Sequence, residues 1–151
     1  LLEIEVPELN DGTIMLYSVA RDAGSRSKIA VYTEYNNVDP IGAVIGEKGR
    51  RISAVLKELG GEKIDVILYD KDPVKFIANA LSPAKDVKVT IKDENKKEAL
   101  ALANDSNLSL AIGKKGQNVK LASRLTHYKI EVKSESAQEE NKEEISSVEE
   151  E

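Results

Sequence analysis

The residues best suited to chemistry are two glycine–lysine clusters with the same spacing. Ile45, Gly46, Glu47, Lys48 and Gly49 run into Arg50 and Arg51, and Ile112, Gly113, Lys114, Lys115 and Gly116 run into Gln117 and Asn118. Two glycines separated by two residues let a chain turn sharply and remove Cβ atoms from the turn, so a polyanion can press against bare main chain. Where a helix starts just after the second glycine, its first amides favour phosphate. Lys48 and Lys115 add mobile positive charge, which Arg50, Arg51 and Lys114 extend. Such contacts position a strand without reading its sequence. Reading needs a neighbouring groove, for which Ile45, Ile52 and Ile64 in one copy, and Ile112, Val119 and Ile130 in the other, could form an apolar floor. Each of these aliphatics taken singly reads more readily as core than as ligand floor. At a background of roughly 7% glycine, one such loop arises by chance in a chain this long. Two loops with matched flanks do not.

Other chemistry is poorly supplied. A P-loop needs an earlier glycine and a Ser or Thr after its lysine; here Leu108 and Lys115 hold those places. No G-x-G-x-x-G occurs. There is no cysteine, which excludes Cys zinc sites and disulfides, and His127 is the only histidine, which leaves little for His-based metal sites or catalytic triads. Asp70 and Asp72 flank Lys71 and read as turn and capping residues. Five tyrosines and one phenylalanine are too few for a base-stacking platform. The expectation is a binding protein rather than an enzyme, without metal or cofactor.

The elements that must hold the loops repeat as well. The glycines recur at an offset of 67 residues, and Lys63-Ile64-Asp65-Val66 recurs as Lys129-Ile130-Glu131-Val132 at 66. One extra residue at Gly60-Gly61 accounts for the difference. In the first copy, β-branched runs predict strands over 13–20 and 28–33 around a turn at 21–25. Asp39 as N-cap and Pro40 at the first helical position open a short helix that ends at Gly46. Ile52, Val55, Leu56 and Leu59 predict a second helix after Gly49, and 63–69 a third strand. A helix over 73–82 links to the second copy. That copy repeats the order, with strands over 87–91, 99–102 and 128–132, and with Asn104 or Asp105 capping the short helix. The order β-β-α-(G-x-x-G)-α-β, twice, is an α+β layout of two small three-stranded sheets covered by helices.

The net charge of −5 conceals an uneven distribution. Residues 134–151 hold eight acids and one base; the rest holds 21 bases and 19 acids. The folded part is mildly basic, and 134–151 read as a disordered acidic tail. An acidic arm competing with nucleic acid for the basic surface is the alternative. Apolar runs are too short to span a membrane, no signal peptide is visible, and the composition suits the cytoplasm.

At these residues the chain resembles KH domains in their bacterial, type II arrangement, and further the tandem KH region of the NusA family of bacterial transcription factors. The likeness is carried by Ser18 to Arg21 with Gly24 to Lys28, by Val38 to Ala43 running into Gly46 to Gly49, and by Gly61 to Asp65. It continues through Phe76 to Ala84 and Leu108 to Gly113 with Gly116, Gln117, Asn118, Leu121 and Ala122. The resemblance implies 11–70 and 71–133 as first and second KH domains, with 1–10 as a junction from a preceding domain. It implies a monomer that binds single-stranded RNA, with RNA polymerase as a further partner, in transcription elongation, termination and antitermination. Gly46, Lys48, Gly49, Gly113, Lys115 and Gly116 become backbone contacts. Glu47 departs from the family, which often has proline there, so the second loop is expected to be the stronger. A KH scaffold that docks protein, with RNA incidental, is the alternative function.

Overall fold

The computed structural model describes residues 1–136; most of the acidic tail, and the expectation placed on it, lies outside them. Two short helices, α1 (Leu2–Glu5) and α2 (Pro7–Asp11), lead into a hairpin of β1 (Met15–Asp22) and β2 (Arg26–Tyr32). Helices α3 (Pro40–Ile45) and α4 (Arg50–Leu59) follow, then β3 (Lys63–Leu68). The second unit repeats this as α5 (Pro73–Ala80), β4 (Lys88–Asp93), β5 (Glu98–Ala103), α6 (Asp105–Ile112), α7 (Gln117–Thr126) and β6 (Lys129–Ser134). The sheets are ordered β1-β2-β3 and β4-β5-β6. In each, the hairpin pair is antiparallel and the returning strand is parallel to the hairpin's second strand. The expected α+β class and repeated order are present. No described helix is long and apolar enough to cross a membrane.

The central strand β2 is buried on both faces from Ser27 to Val31, which an edge strand with one wet face would not be. Ile29 and Val31 join Val6, Ile14 and Val44 in the first unit's own core. The opposite face presents Ala20, Ala30 and Ile67, which pack in a single cluster with Phe76, Ile77, Ala80 and Leu81 of the α5 segment and Leu121 and Leu125 of α7. The second unit's helices therefore cover the face that the first unit cannot cover itself. Each fully buried leucine contributes about 1.5–3 kcal/mol to that seam.

Residues 1–10, expected as a junction, fold against the first unit: Val6 is fully buried, and Glu8 pairs with Arg51 at 2.7 Å. Helices of four and five residues are too short to display a 3.6-residue period. Pro7 opens α2 as Pro73 opens α5, so both units begin with a helix. The closing strand runs through Ser134, whose hydroxyl donates to Asp105 Oδ1 at 2.9 Å.

The hairpin strands also reach closer to their turn than expected, because Glu62 holds it shut. Its buried carboxylate accepts from Arg21 Nε and Nη2, from the Gly24 amide at 2.9 Å and from Ser27 Oγ at 2.6 Å. The Arg21 guanidinium, then Ser27 and the Gly24 amide, hold its pKa down at about 2, against an ordinary 4.5. A carboxyl with a depressed native pKa contributes stability that is fully present above the unfolded value and lost as pH falls through the native one. Glu62→Gln should therefore lower the melting temperature at pH 6. The gap between variant and parent should narrow steadily between pH 4.5 and pH 2 in melts followed by circular dichroism. A gap independent of pH would assign Glu62 a packing role only.

Candidate nucleic-acid interface

Each short helix is set by its cap. Asp39 accepts the Gly42 amide, and Asn104 accepts the Asn107 amide, both through side-chain oxygen. Each then ends on a glycine outside helical space, Gly46 at φ 80°, ψ 169° and Gly113 at φ 79°, ψ 170°. A single 3-10 turn follows. Within it Lys48 (φ 55°, ψ 27°) and Lys115 (φ 56°, ψ 26°) lie in left-handed space, and Gly49 (φ 72°) and Gly116 (φ 74°) follow them there. A lysine in that region is strained by about 1–2 kcal/mol, and both copies hold the same strain. The result points a lysine out of each loop, since Lys48 and Lys115 are both exposed.

The two glycines of a loop do different jobs. A Cβ on Gly46 would sit 2.7 Å from Arg51 Cγ, and one on Gly113 would sit 2.7 Å from both the Asn118 amide nitrogen and its Cβ. These first glycines let the following helix close against the loop. A Cβ on Gly49 would find its nearest neighbour only at 4.0 Å, in Ser53 Oγ, and on Gly116 only at 3.7 Å, in Lys120 Cε. The second glycines face open space, where bare main chain is accessible from outside.

Of the residues singled out in the sequence, Glu47, Lys48, Arg50, Lys114 and Lys115 are exposed, while Ile45, Gly46, Gly49, Ile112, Gly113, Gly116 and Gln117 are half-buried. Arg51 and Asn118, which are equivalent in the repeat, turn inward. Arg51 Nη1 donates to the Ala43 carbonyl at 2.8 Å and to Glu8. Asn118 is fully buried, and its Nδ2 donates to the carbonyls of Ala111 and Leu81, each at 3.0 Å. Each thus ties its loop's helix pair to the helix opening its unit, α2 or α5. Both side chains hold the loop from behind. Among the groove aliphatics, Ile45, Ile52, Ile64, Ile112 and Val119 are half-buried and Ile130 is buried, so only the first five have surface to offer.

The sequence also hid a contact between units. Gln117, at the start of α7, donates through Nε2 to Asp22 Oδ2 at 2.8 Å and to Ser25 Oγ at 2.7 Å. The hairpin tip of the first unit therefore touches the second loop. Nothing in local spacing signals a pairing across more than 90 residues.

Comparison with known proteins now adds to this geometry. Residues 1–69 match the family described as NusA-like first KH domain, and residues 73–140 the NusA-like second KH domain. The chain is similar to transcription termination/antitermination protein NusA of Halalkalibacterium halodurans, 54% identical over 136 residues, covering 90% of this chain and 35% of that protein. It is as similar to the NusA of Bacillus subtilis, 54% over 135 residues, 89% of this chain and 36% of that one. For Thermus thermophilus NusA the figures are 53% over 130 residues, 86% and 33%. The chain thus spans about a third of the length of these relatives. A solved structure, the crystal structure of APE1850, covers 87% of this chain and 96% of that one with a TM-score of 0.60, and at 23% identity it bears on the fold alone.

Proposed function

Since the chain belongs to the NusA family through its paired first and second KH domains, we propose that it is the single-stranded RNA-binding module of a transcription elongation, termination and antitermination factor. It is a binding module, not an enzyme. The observation that carries this is the duplicated loop, with matching left-handed backbone, an outward lysine, and a second glycine open to the exterior. RNA phosphates rest on Gly46 to Gly49 and Gly113 to Gly116, with Lys48, Arg50, Lys114 and Lys115 supplying charge. Bases lie toward Ile45 and Ile112, and Arg51 and Asn118 support the loops from within. RNA polymerase is a partner of the full-length factor.

A protein-docking scaffold is the second reading. It is favoured by the outer strand β1, on which Met15, Leu16, Tyr17 and Val19 are all exposed, since free apolar strand edges invite partners. Pull-down of polymerase that survives RNase treatment would favour docking.

The test of the first reading is a titration of an unstructured oligoribonucleotide at several salt concentrations. Contacts with about four phosphates predict a slope of log K against log salt of about −3. Duplex RNA should compete poorly. A flat salt dependence, or equal binding of duplex, would remove the loop-and-phosphate mechanism.

A further inference from the structure

Three of the chain's five tyrosines are far apart in sequence and meet in the fold. Tyr17 lies on β1, Tyr32 ends β2, and Tyr69 follows β3, where its amide extends the ladder by donating to the Val31 carbonyl at 2.9 Å. They gather at the end of the first sheet opposite its hairpin turn. The Tyr17 and Tyr69 rings stack with centroids 3.9 Å apart and planes 19° from parallel, and Tyr32 tilts against Tyr69 at 5.4 Å. Phe76, buried in the seam, meets both stacked rings nearly at right angles, at 5.7 and 5.0 Å. Beside the rings opens a cleft of about 740 Å³, lined by the three tyrosines with Thr33, Glu34, Asp70 and Lys71. That volume lies in the range of ligand-binding clefts. No residue of either glycine loop lines it.

The rings keep surface to offer: Tyr17 is 46% exposed, and Tyr32 and Tyr69 are half-buried. The cleft's charge is negative on balance, with Glu34 and Asp70 against Lys71, and none of the three is in an ion pair among the described residues. Both carboxylates are carried on ordered backbone. Asp70 Oδ1 accepts the Asp72 amide at 2.9 Å. Thr33 Oγ1 donates to the Thr13 carbonyl at 2.7 Å and accepts the Tyr35 amide at 3.2 Å, which holds the segment bearing Glu34. The repeated fold does not require this group, because the strand registers put Asn104 and Glu135 where Tyr32 and Tyr69 stand in the first unit. Aromatic faces attract cations, and neighbouring carboxylates strengthen that attraction while repelling a phosphodiester. Among biological cations a guanidinium suits the site best, being flat, weakly hydrated, and able to stack on a ring while its edge donates to carboxylates.

We propose that this cleft receives an arginine side chain from a basic segment of a protein partner, with the guanidinium stacked on the exposed Tyr17 ring and paired with Glu34 and Asp70. The inference stands on these observations alone and does not depend on RNA binding by the loops.

The experiment titrates the chain with N-acetyl-arginine amide and, separately, with N-acetyl-citrulline amide, its uncharged near-isostere, following the ring resonances of Tyr17, Tyr32 and Tyr69 by NMR. The expected result is a saturable shift of these rings with the arginine compound and binding of the citrulline compound weaker by about fivefold or more. Tyr17→Leu keeps apolar bulk and removes the ring, and should weaken the arginine compound by about fivefold or more, whereas Tyr17→Phe keeps the ring and should bind within about twofold of the parent. Glu34 is exposed, so Glu34→Gln tests the charge even where Tyr17→Leu lowers the melting temperature. It should weaken binding about two- to threefold at low salt and match the parent at high salt. No saturable shift, equal binding of the two compounds, or undiminished arginine binding in Tyr17→Leu would each overturn the site. A single-stranded oligoribonucleotide should leave these rings unmoved and bind Tyr17→Leu as it binds the parent. Ring shifts with RNA would put the tyrosines on the nucleic-acid path and overturn the assignment to a protein cation, while failure of RNA to bind at all would bear only on the loops.

Discussion

Replacing Gly49 and Gly116 together by aspartate is expected to reduce affinity for single-stranded RNA by well over tenfold while the protein stays folded. Both positions are built for the test. A new Cβ meets no atom closer than 3.7 Å at either site, so no neighbour has to move. Both have φ near +73°, at 72° and 74°, where an L-residue costs about 1 kcal/mol and Asp and Asn are the best tolerated of the side-chain-bearing residues. What changes is outside the fold: a carboxylate now stands where, in the proposed function, a phosphate approaches the main chain and the lysine. Losing tenfold corresponds to about 1.4 kcal/mol, a modest demand on two like-charge repulsions. The Gly49→Asn plus Gly116→Asn variant separates the causes. It carries the same Cβ and the same backbone cost without the charge, so it should bind with intermediate affinity. Titrations with all three proteins, alongside their melting curves, check this. Unchanged affinity in the aspartate variant would remove the loops from the RNA path. The same substitution at Gly46 or Gly113 would be no test, because Arg51 or Asn118 already fills the space.

That difference between glycines shows what local sequence can and cannot carry. The loops were legible because their signals are local: a cap–proline pair at Asp39 and Pro40, a glycine at each hinge, an amphipathic run behind it. Strand and helix order followed from periodicity for the same reason. Arg51 and Asn118 were not legible as inward pins. At the second position of a helix a polar side chain reads as solvent-facing, and only the close approach of Gly46 and Gly113 lets it fold back to a carbonyl of the preceding helix. Glu62 likewise reads as a surface residue after a glycine turn, although its partners Arg21, Gly24 and Ser27 lie 35 to 41 residues away. The seam was the least legible of all. Alternating strands of a two-layer unit predict a wet outer face, and only the presence of the second copy turns Ala20, Ala30 and Ile67 into core.

Lys28 shows what that seam requires, and Lys28→Ala is expected to destabilise the chain by about 3–5 kcal/mol, the cost of a cavity where a fully buried side chain stood together with a carbonyl left unpaired. The strand registers align Arg26 opposite Lys63 and Glu98 opposite Lys129, which makes Leu100 the second unit's counterpart of Lys28. In the first unit a fully buried lysine stands there instead. Its Nζ donates to Asp65 Oδ2 at 2.9 Å and to the Ser82 carbonyl at 2.7 Å. One contact is within the unit and the other crosses to the segment after α5. Burial pulls the ammonium's pKa down, and Asp65 opposes the shift. Alanine removes the charge, the bond across the seam and the side-chain volume together. Lys28→Met keeps most of the volume, and Asp65 retains Arg26 at 3.1 Å. What remains is an unpaired Ser82 carbonyl, which costs about 1–3 kcal/mol, so methionine should recover part of the loss. Urea unfolding measures both. Total stabilities of about 5–15 kcal/mol make the alanine effect a large fraction of the whole. Because the lost bond joins the two units, the parent should unfold in a single transition and the alanine variant in a broadened or split one, as units released from each other unfold separately. A single, unshifted transition would mean that the apolar packing of α5 and α7 alone joins the units. If it splits, the ammonium fixes how one loop is placed relative to the other. Under the proposed function that spacing matters, since a second binding event becomes intramolecular only when the geometry allows simultaneous engagement of both sites.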